Sequence, residues 1–243
     1  KYQTLTQALA NSCNPAFMQL GKRIGVETFY KYFSAFGLFN KTGISLPLES
    51  NSIFHDKDEV NSVELATMSF GQRFEITPIQ LVTAISSLAN GGILVQPQIV
   101  SKTVNNDTGA VTSTQTNEIR QVVSEETANG VIDMMEYVVT NGTGRKGAVK
   151  GYTIAGKTGT SESIAGSNKG NTLSYVAVAS SENPAFVAFV VLYNTPTTQA
   201  QGSTVAGPIM SNILSEVLPY LGITSDEANI NSNSNSIAVP NVV

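Results

Sequence analysis

Residues 151–160, GYTIAGKTGT, decide how the rest of the chain is interpreted, because they fit two patterns that belong to different folds. From Gly151 to Thr158 the stretch matches G-x-x-x-x-G-K-[ST], the loop that cradles a phosphate between a buried strand and a helix. Around Lys157 it also fits a strand that carries a lysine and small hydroxylated residues along the edge of a cleft. The flanking sequence distinguishes the two interpretations.

The phosphate-loop interpretation fails on its context. Residues 145–150, RKGAVK, are not a buried strand, and residues 152–155, YTIA, are β-prone rather than loop-like. No apolar helical period follows Lys157, and the next apolar strand ends at Asn194, whereas a Mg²⁺-binding Asp would be needed. We therefore predict a strand centred on Lys157.

Outward from this strand, the C-terminal half is predicted to contain a helix before it, a pair of strands after it and a final helix. Residues 173–180 and 185–193 are two apolar runs joined by a short polar loop, which predicts a β-hairpin covered on both faces. A helix capped by Ser124 precedes the strand, and a helix capped by Ser203 follows the hairpin. The predicted buried face of this last helix is Val205, Ile209, Ile213, Val217 and Leu221.

The N-terminal half is predicted to be mainly helical. A helix ends near Asn11, and Pro15 is suited to the first turn of a second helix, which is followed by a third over residues 26–36. Thr77-Pro78 is a strong start signal for a further helix that stops at residues 90–92. The whole pattern predicts an α+β fold in which helices flank an antiparallel sheet, with an all-helical subdomain.

Three further patterns carry no predicted function. Lys41-Thr42-Gly43 repeats the K-T-G letters, but it lies in a loop without the long strand and hairpin that surround Lys157. Residues 142–147 fit G-x-G-x-x-G, yet they follow a helix and precede a strand, the reverse of a dinucleotide site. We interpret them as a flexible, exposed loop. His55, the single histidine, is expected to be solvated.

Composition excludes several classes of function. The 243 residues are 41% hydrophobic, and the net charge of −4 without a basic cluster argues against a nucleic-acid partner. One Cys excludes an internal disulfide, and one Cys beside one His makes a zinc site implausible, so we predict neither a metal nor a cofactor. No apolar run has membrane-spanning length and no signal peptide is visible.

A second short pattern, Ser12-x-Asn14, stands far upstream of the K-T-G stretch, immediately before the predicted helix start at Pro15. Alone, Ser12 and Asn14 would suggest a helix cap. Together and in this order, S-x-N and K-T-G belong to the motif set of penicillin-binding proteins and class A β-lactamases.

With these motifs, the chain resembles the C-terminal part of the transpeptidase domain of a class B penicillin-binding protein. Residues 12–17, SCNPAF, 70–72, FGQ, and 156–160, GKTGT, carry the resemblance together with Thr77-Pro78. It covers residues 1–222. An Asn- and Ser-rich linker is expected over 223–238, and 239–243, VPNVV, resembles the start of a PASTA module.

One element of the family pattern is missing. The nucleophile of the family lies in S-x-x-K, and no serine of this chain has Lys three residues later. Because the chain also opens abruptly within a structured region, we expect it to be a fragment. The nucleophile and its Lys are then expected before Lys1.

The resemblance implies a role for each remaining motif residue. Ser12 would relay a proton to the departing amine, and Asn14 would hydrogen-bond the substrate amide. Lys157 would supply positive potential, and Thr158 and Thr160 would bind the substrate carboxylate, with the Thr160 N–H in the oxyanion hole. The bare backbone of Gly159 would let substrate lie along the strand. The resemblance also implies that Lys157 Nζ approaches the Ser12 hydroxyl across a groove.

The implied activity is that of a peptidoglycan D,D-transpeptidase, a target of β-lactams. The implied partners are stem peptides, the missing N-terminal segment and other cell-wall synthesis proteins, at the extracytoplasmic face of a Gram-positive membrane. A β-lactamase or carboxypeptidase on the same fold and a non-catalytic wall-binding protein are the alternatives. The resemblance further implies that strand 185–193 lacks a main-chain partner on one side, where the N-terminal segment would pair.

Overall fold

The computed structural model describes residues 2–161, 170–180, 183–195 and 200–225. The chain divides into two compact units, one ending at Met134 and the other beginning at Met135. Residues 226–243 lie outside the described part, and with them most of the predicted linker and all of the PASTA-like end. None of the described helices is long and apolar enough to cross a membrane.

Four helices lie within the described part of the first unit: α1 (Leu5–Ala10), α2 (Asn14–Ala35), α3 (Ser62–Met68) and α4 (Pro78–Ala89). Pro15 lies in the first turn of α2, as predicted. The helix is interrupted at Gly25, which adopts φ 76°, so the two helices predicted on either side of residue 25 are both present. Thr77 caps α4 through its hydroxyl, which accepts from the Gln80 N–H.

The first unit also contains strands, so it is mixed rather than all-helical as predicted. Strand β1 (Ile93–Val95) pairs with β4 (Glu118–Gln121), and β2 (Lys102–Val104) pairs with β3 (Val111–Ser113), both antiparallel. Each of these strands has only three or four residues.

The loops of the first unit are held by phenylalanines. Phe33 of α2 stacks on Phe29 with ring centroids 4.4 Å apart, and its ring also meets the edges of Phe54 and Phe74. Phe54 and Phe74 stack on each other at 5.1 Å. These contacts fix residues 39–74 against α2 and contribute about 0.5–1.5 kcal/mol per pair beyond the area that they bury.

The second unit contains the predicted antiparallel sheet. Strands β5 (Ile154–Ser161), β6 (Asn171–Ala179) and β7 (Phe186–Thr195) are adjacent in that order. Helix α5 (Glu125–Asn141) contains the boundary between the units and is followed by a 3₁₀ turn at Arg145–Gly147, and α6 (Ala206–Tyr220) ends the described fold. The strand at Lys157 and the following hairpin are therefore confirmed.

The buried face of α6 differs from the prediction. Ala206, Met210, Leu214 and Leu218 are completely buried, against Tyr175 and other residues of the sheet. By contrast, the predicted Ile213 and Leu221 are 42% and 54% exposed. Both sets repeat every four residues, so periodicity alone could not choose between them. Ser203 is also not the cap, because α6 begins only after Val205.

Strand β7 is an edge strand within the described chain, since it pairs with β6 and with no other described strand. Its side chains are mostly half-buried, whereas most of β6 is buried. The predicted open edge is therefore confirmed for the described residues. Which segment pairs with it stays a prediction.

Candidate active site

Lys157 lies in the middle of β5, and Thr158, Gly159 and Thr160 follow it on the same strand. The strand pairs with β6 over its full length, placing Thr158 opposite Tyr175 and Gly159 opposite Ser174. It is fully buried at its start and exposed at its end. A lysine in mid-strand does not begin a helix, so the geometry of a phosphate loop is absent. Strand β5 lies at the other edge of the described sheet.

The Lys157 ammonium is half-buried, and Nζ donates to the Thr158 carbonyl oxygen at 2.8 Å. Burial lowers the pKa of Lys157 from 10.5 to about 8, because desolvation disfavours the charged form. At neutral pH the group is still mainly protonated. It can therefore carry a positive charge on the strand that also carries Thr158 and Thr160.

Both threonine hydroxyls contact residues from other segments of the second unit. Thr158 Oγ1 lies 3.3 Å from Thr143 Oγ1. Thr160 Oγ1 accepts a hydrogen bond from the Gly202 N–H at 3.1 Å. Because alternate residues of a strand share a face, the two hydroxyls project from the same face of β5. They form a pair of neutral donors that an anion could engage.

Gly159 has a packing reason to lack a side chain, in addition to the predicted approach of substrate. A Cβ at Gly159 would meet the Ser174 Oγ across the strand pair. Gly202 packs equally closely on the backbone of Gly159 and Ser174, so a side chain there would strike their carbonyl oxygens. Sequence analysis missed Gly202, because nothing in its local sequence points to β5.

Residues 142–147 are packed against the sheet, and the prediction of a flexible, exposed loop was wrong. The buried Tyr175 hydroxyl donates to the Gly144 carbonyl at 2.7 Å, and Gly144 and Gly147 are both buried. A Cβ at Gly147 would strike the Tyr175 ring, and one at Gly156 would lie 2.8 Å from it. The glycines are therefore spaced to surround an aromatic ring rather than a dinucleotide. Burial raises the pKa of Tyr175, so it remains a donor.

Ser12 and Asn14 belong to the first unit, at the turn between α1 and α2. Ser12 is half-buried and adopts φ 50°, in the left-handed region that a non-glycine residue rarely occupies. Its N–H donates to the Leu9 carbonyl at 3.1 Å. The residue at the N-cap position of α2 is Cys13, without a side-chain hydrogen bond, and Asn14 is the exposed first residue of the helix. Ser12 is therefore not the α2 cap.

The second K-T-G, at Lys41-Thr42-Gly43, is occupied by a carboxylate of the same chain. The Thr42 N–H and hydroxyl donate to Glu49 Oε1 at 2.6 and 2.8 Å, and the Gly43 N–H donates to Oε2 at 3.1 Å. Although burial raises the pKa of Glu49, the hydrogen bonds from Thr42 and Gly43 and the charge of Lys41 outweigh it and hold this pKa below 4.5. These residues form an internal clamp.

No group of three His, Cys, Asp or Glu side chains that could hold a metal occurs in the described part of the chain. The backbone carbonyl of His55 accepts from the Tyr30 hydroxyl at 2.7 Å, which holds the loop there to α2.

The second unit also has an open depression of about 490 Å³, between the end of α5 and the start of β5. It is lined by Arg145 and Tyr152 and does not include the K-T-G residues.

The family model of the penicillin-binding protein transpeptidase domain matches residues 1–215. The chain belongs to this family, and its K-T-G strand and S-x-N turn are the motifs that carry the resemblance.

The curated relatives include a sporulation protein and peptidoglycan D,D-transpeptidases. The chain is 38% identical to Stage V sporulation protein D of Bacillus subtilis, over 99% of this chain and 39% of that protein. It is 29% identical to the peptidoglycan D,D-transpeptidase FtsI of Escherichia coli K12, over 92% of this chain and 37% of that protein. The chain thus spans less than two fifths of the length of these relatives.

Solved structures show the same fold. Penicillin-binding protein 3 of Mycobacterium tuberculosis in its apo form superposes with a TM-score of 0.83 at 29% identity, covering 91% of this chain and 52% of that one. The same protein complexed with ampicillin gives a TM-score of 0.82 at 28% identity, with the same coverage. The predicted class of fold, helices with antiparallel sheets as in transpeptidases, is confirmed.

Proposed function

We propose that the protein containing this chain is a serine-type peptidoglycan D,D-transpeptidase, acylated by β-lactams at the same serine that attacks stem peptides. The observation that carries the proposal is the K-T-G strand, where a half-buried ammonium and two oriented hydroxyls share one strand. Membership of the transpeptidase family and the named activity of the FtsI relatives support it. The partners proposed with it are stem peptides and other cell-wall synthesis proteins.

The reaction has two transfers. A serine oxygen attacks the carbonyl of a stem-peptide bond, the amine leaves with a proton, and an acyl-enzyme forms. The amine of a second stem peptide then attacks the acyl group, which restores the serine and links the two peptides. In a β-lactam the amine cannot depart, because it is part of the opened ring, and the acyl-enzyme persists.

Lys157 serves this reaction through charge. Its ammonium attracts the substrate carboxylate and, as a positive charge near the active centre, favours the deprotonated form of the base that activates the serine. Thr158 and Thr160 bind the carboxylate through their hydroxyls, and Gly159 leaves room for the substrate backbone. The lowered pKa of Lys157 makes this charge sensitive to mildly alkaline pH.

Ser12 and Asn14 act in the same reaction. The Ser12 hydroxyl relays a proton to the departing amine, so no histidine is required, and Asn14 hydrogen-bonds the substrate amide. The left-handed backbone of Ser12 supports this assignment, since a strained conformation costs about 1–3 kcal/mol and is concentrated at functional sites. That Lys157 Nζ approaches the Ser12 hydroxyl stays a prediction.

The nucleophile is proposed to lie outside this chain, since none of its serines stands in S-x-x-K. The chain by itself is then not acylated. Intact-mass spectrometry after incubation with penicillin tests this: we expect no adduct on the chain and one adduct per molecule of the full-length protein. A stable adduct on the chain alone would place the nucleophile within residues 1–243.

The activity itself is tested on the full-length protein with fluorescent penicillin and with a stem-peptide donor and an amine acceptor. We expect covalent labelling and formation of the cross-linked peptide, with both lost in Lys157→Ala. Lys41→Ala is the matched control, because it changes the other K-T-G. Labelling followed by rapid hydrolysis would instead indicate a β-lactamase, and no labelling would indicate a non-catalytic protein.

The location and the ends of the domain are proposed from the family resemblance. We place the protein at the extracytoplasmic face of a Gram-positive cell membrane, held by an anchor outside this chain. The transpeptidase domain is proposed to end near Gly222, before the linker and the PASTA-like residues.

A further inference from the structure

Thr143 brings a third hydroxyl to the pair on β5. Its Oγ1 lies 3.3 Å from Thr158 Oγ1, and either atom could donate. Both side chains are half-buried. Thr143 comes from the segment after α5, whereas Thr158 comes from the sheet, so the contact requires that the segment be held in place.

The segment is held on both sides of Thr143. The N–H groups of Gly142 and Gly144 both donate to the Val138 carbonyl, at 3.0 and 3.1 Å, which closes the end of α5. The Gly144 carbonyl in turn accepts from the Tyr175 hydroxyl at 2.7 Å. Tyr175 is the register partner of Thr158 on β6. The same two strands therefore position both members of the hydroxyl pair.

A hydroxyl has one hydrogen, so its use is decided by what else the oxygen bonds. Thr160 Oγ1 already accepts from the Gly202 N–H, which leaves its hydrogen for an acceptor outside the protein. Thr158 Oγ1 reaches the same state only when Thr143 is the donor of their shared hydrogen bond. Both hydroxyl hydrogens of β5 can then be directed at one anion.

We propose that Thr143 is a positioning residue for the substrate carboxylate: it donates to Thr158 Oγ1 and so turns the Thr158 hydroxyl hydrogen towards the carboxylate. This rests on the proposed function of β5. Without Thr143, the Thr158 hydroxyl can rotate freely, and part of its population presents a lone pair to the anion. Removing the Thr143 hydroxyl should therefore slow acylation only by ligands that carry the carboxylate.

The test uses the full-length protein and the second-order rate constant of acylation by a penicillin and by its methyl ester, which lacks the negative charge. Thr143→Val keeps the shape and removes the hydroxyl. We expect acylation by the free acid to fall about tenfold, the scale of a hydrogen bond to a charged partner. Acylation by the ester should stay within about twofold. Thr143→Ser, which keeps the hydroxyl, should restore the rate.

The matched control is Thr140→Val, because the partners of that hydroxyl among the described residues all belong to the same helix: the Glu136 and Tyr137 carbonyls and the Asn141 amide. It should leave both rates unchanged. In a Thr158→Val background, Thr143→Val should have no further effect. Melting temperatures are measured for every variant, and Thr143→Ala replaces Thr143→Val if the latter does not fold.

Three results would overturn the proposal. The first is a folded Thr143→Val variant whose rate of acylation by the free acid is unchanged. The second is an equal fall in the rates of acylation by the free acid and by the ester, which indicates a merely structural role. The third is an additive loss in the Thr158→Val background. If the wild-type protein is not acylated at all, the proposed function itself fails and this inference fails with it.

Discussion

The two K-T-G segments share three letters but differ in backbone conformation and in their hydrogen-bond partners. At Lys41-Thr42-Gly43 the backbone turns at Gly43, with φ 75°, and three donors converge on Glu49 of the same chain. Around Lys157 the backbone is an extended strand, and the threonine hydroxyls are backed by Thr143 and Gly202.

The difference shows that the motif acquires its function from the backbone that carries it. In a turn, successive N–H groups point to one side and form a nest, which a nearby acidic side chain can fill. In a strand, alternate residues share a face, so residues two apart can act together on one ligand. The first segment already holds a carboxylate of its own chain, and we propose that the second holds an external anion.

The largest effect is expected on the rate of acylation, where Lys157 and Lys41 should differ. We expect Lys157→Ala to lower the acylation rate of the full-length protein by about 10²–10³-fold, because a preorganised electrostatic group is lost. Lys41→Ala should stay within about twofold, since its charge serves a surface clamp. Rate constants from labelling time courses measure both. Equal losses in the two variants would show that the segments are not functionally distinct.

The next effect is on stability and concerns the clamp. Glu49→Gln removes the charge from three hydrogen bonds, and we expect the free energy of unfolding to fall by about 2 kcal/mol. The folded-state pKa of Glu49 is lowered, so its contribution is present above pH 4.5 and is lost as the pH falls through the lower value. Urea unfolding at pH 7 and pH 3 measures this, and Thr158→Val is the control. An unchanged unfolding midpoint would contradict the clamp.

A smaller effect is expected in how the rate of acylation depends on pH, through the charge of Lys157. Because the pKa of Lys157 is about 8, its amine is charged below pH 8 and neutral above it. Acylation should therefore fall about tenfold per pH unit above this value. Lys157→Arg keeps its positive charge throughout this pH range, so the rate of acylation should no longer fall at alkaline pH. An alkaline limb that is the same in both proteins would assign the titration to another group.

The smallest expected effect concerns the hydrogen bond from Tyr175 that holds residues 142–147 beside the strand at Lys157. Tyr175→Phe keeps the ring among the glycines but leaves the Gly144 carbonyl without its donor. We expect a loss of about 1–2 kcal/mol in the free energy of unfolding and a few-fold loss in acylation by the free acid. Tyr137→Phe, on the exposed side of α5, is the matched control. No change in stability would show that the hydrogen bond is not needed to hold residues 142–147.

Sequence patterns were sufficient where the signal is local. The hairpin after β5 follows from two apolar runs, and the start of α4 follows from Thr77-Pro78. The K-T-G and S-x-N letters, together with residues 70–72 and Thr77-Pro78, were enough to indicate the family.

Where contacts join distant residues, the sequence contained no usable pattern. Tyr175 and Gly144 are 31 residues apart, and Gly202 and Thr160 are 42 apart. The buried face of α6 was misplaced by one residue because Ala206 and Met210 are no more apolar than Val205 and Ile209 on simple inspection. Packing against the sheet and against the 3₁₀ turn selects between them.

We propose that the strand at Lys157 holds the substrate carboxylate, whereas Lys41-Thr42-Gly43 holds the carboxylate of Glu49. A crystal structure of the full-length protein acylated by a penicillin tests it most directly. We predict the penicillin carboxylate within hydrogen-bonding distance of Thr158 Oγ1 and Thr160 Oγ1, with Glu49 still bound to Thr42. A carboxylate bound away from both threonines of β5, or one that displaces Glu49 from its clamp, would contradict the account.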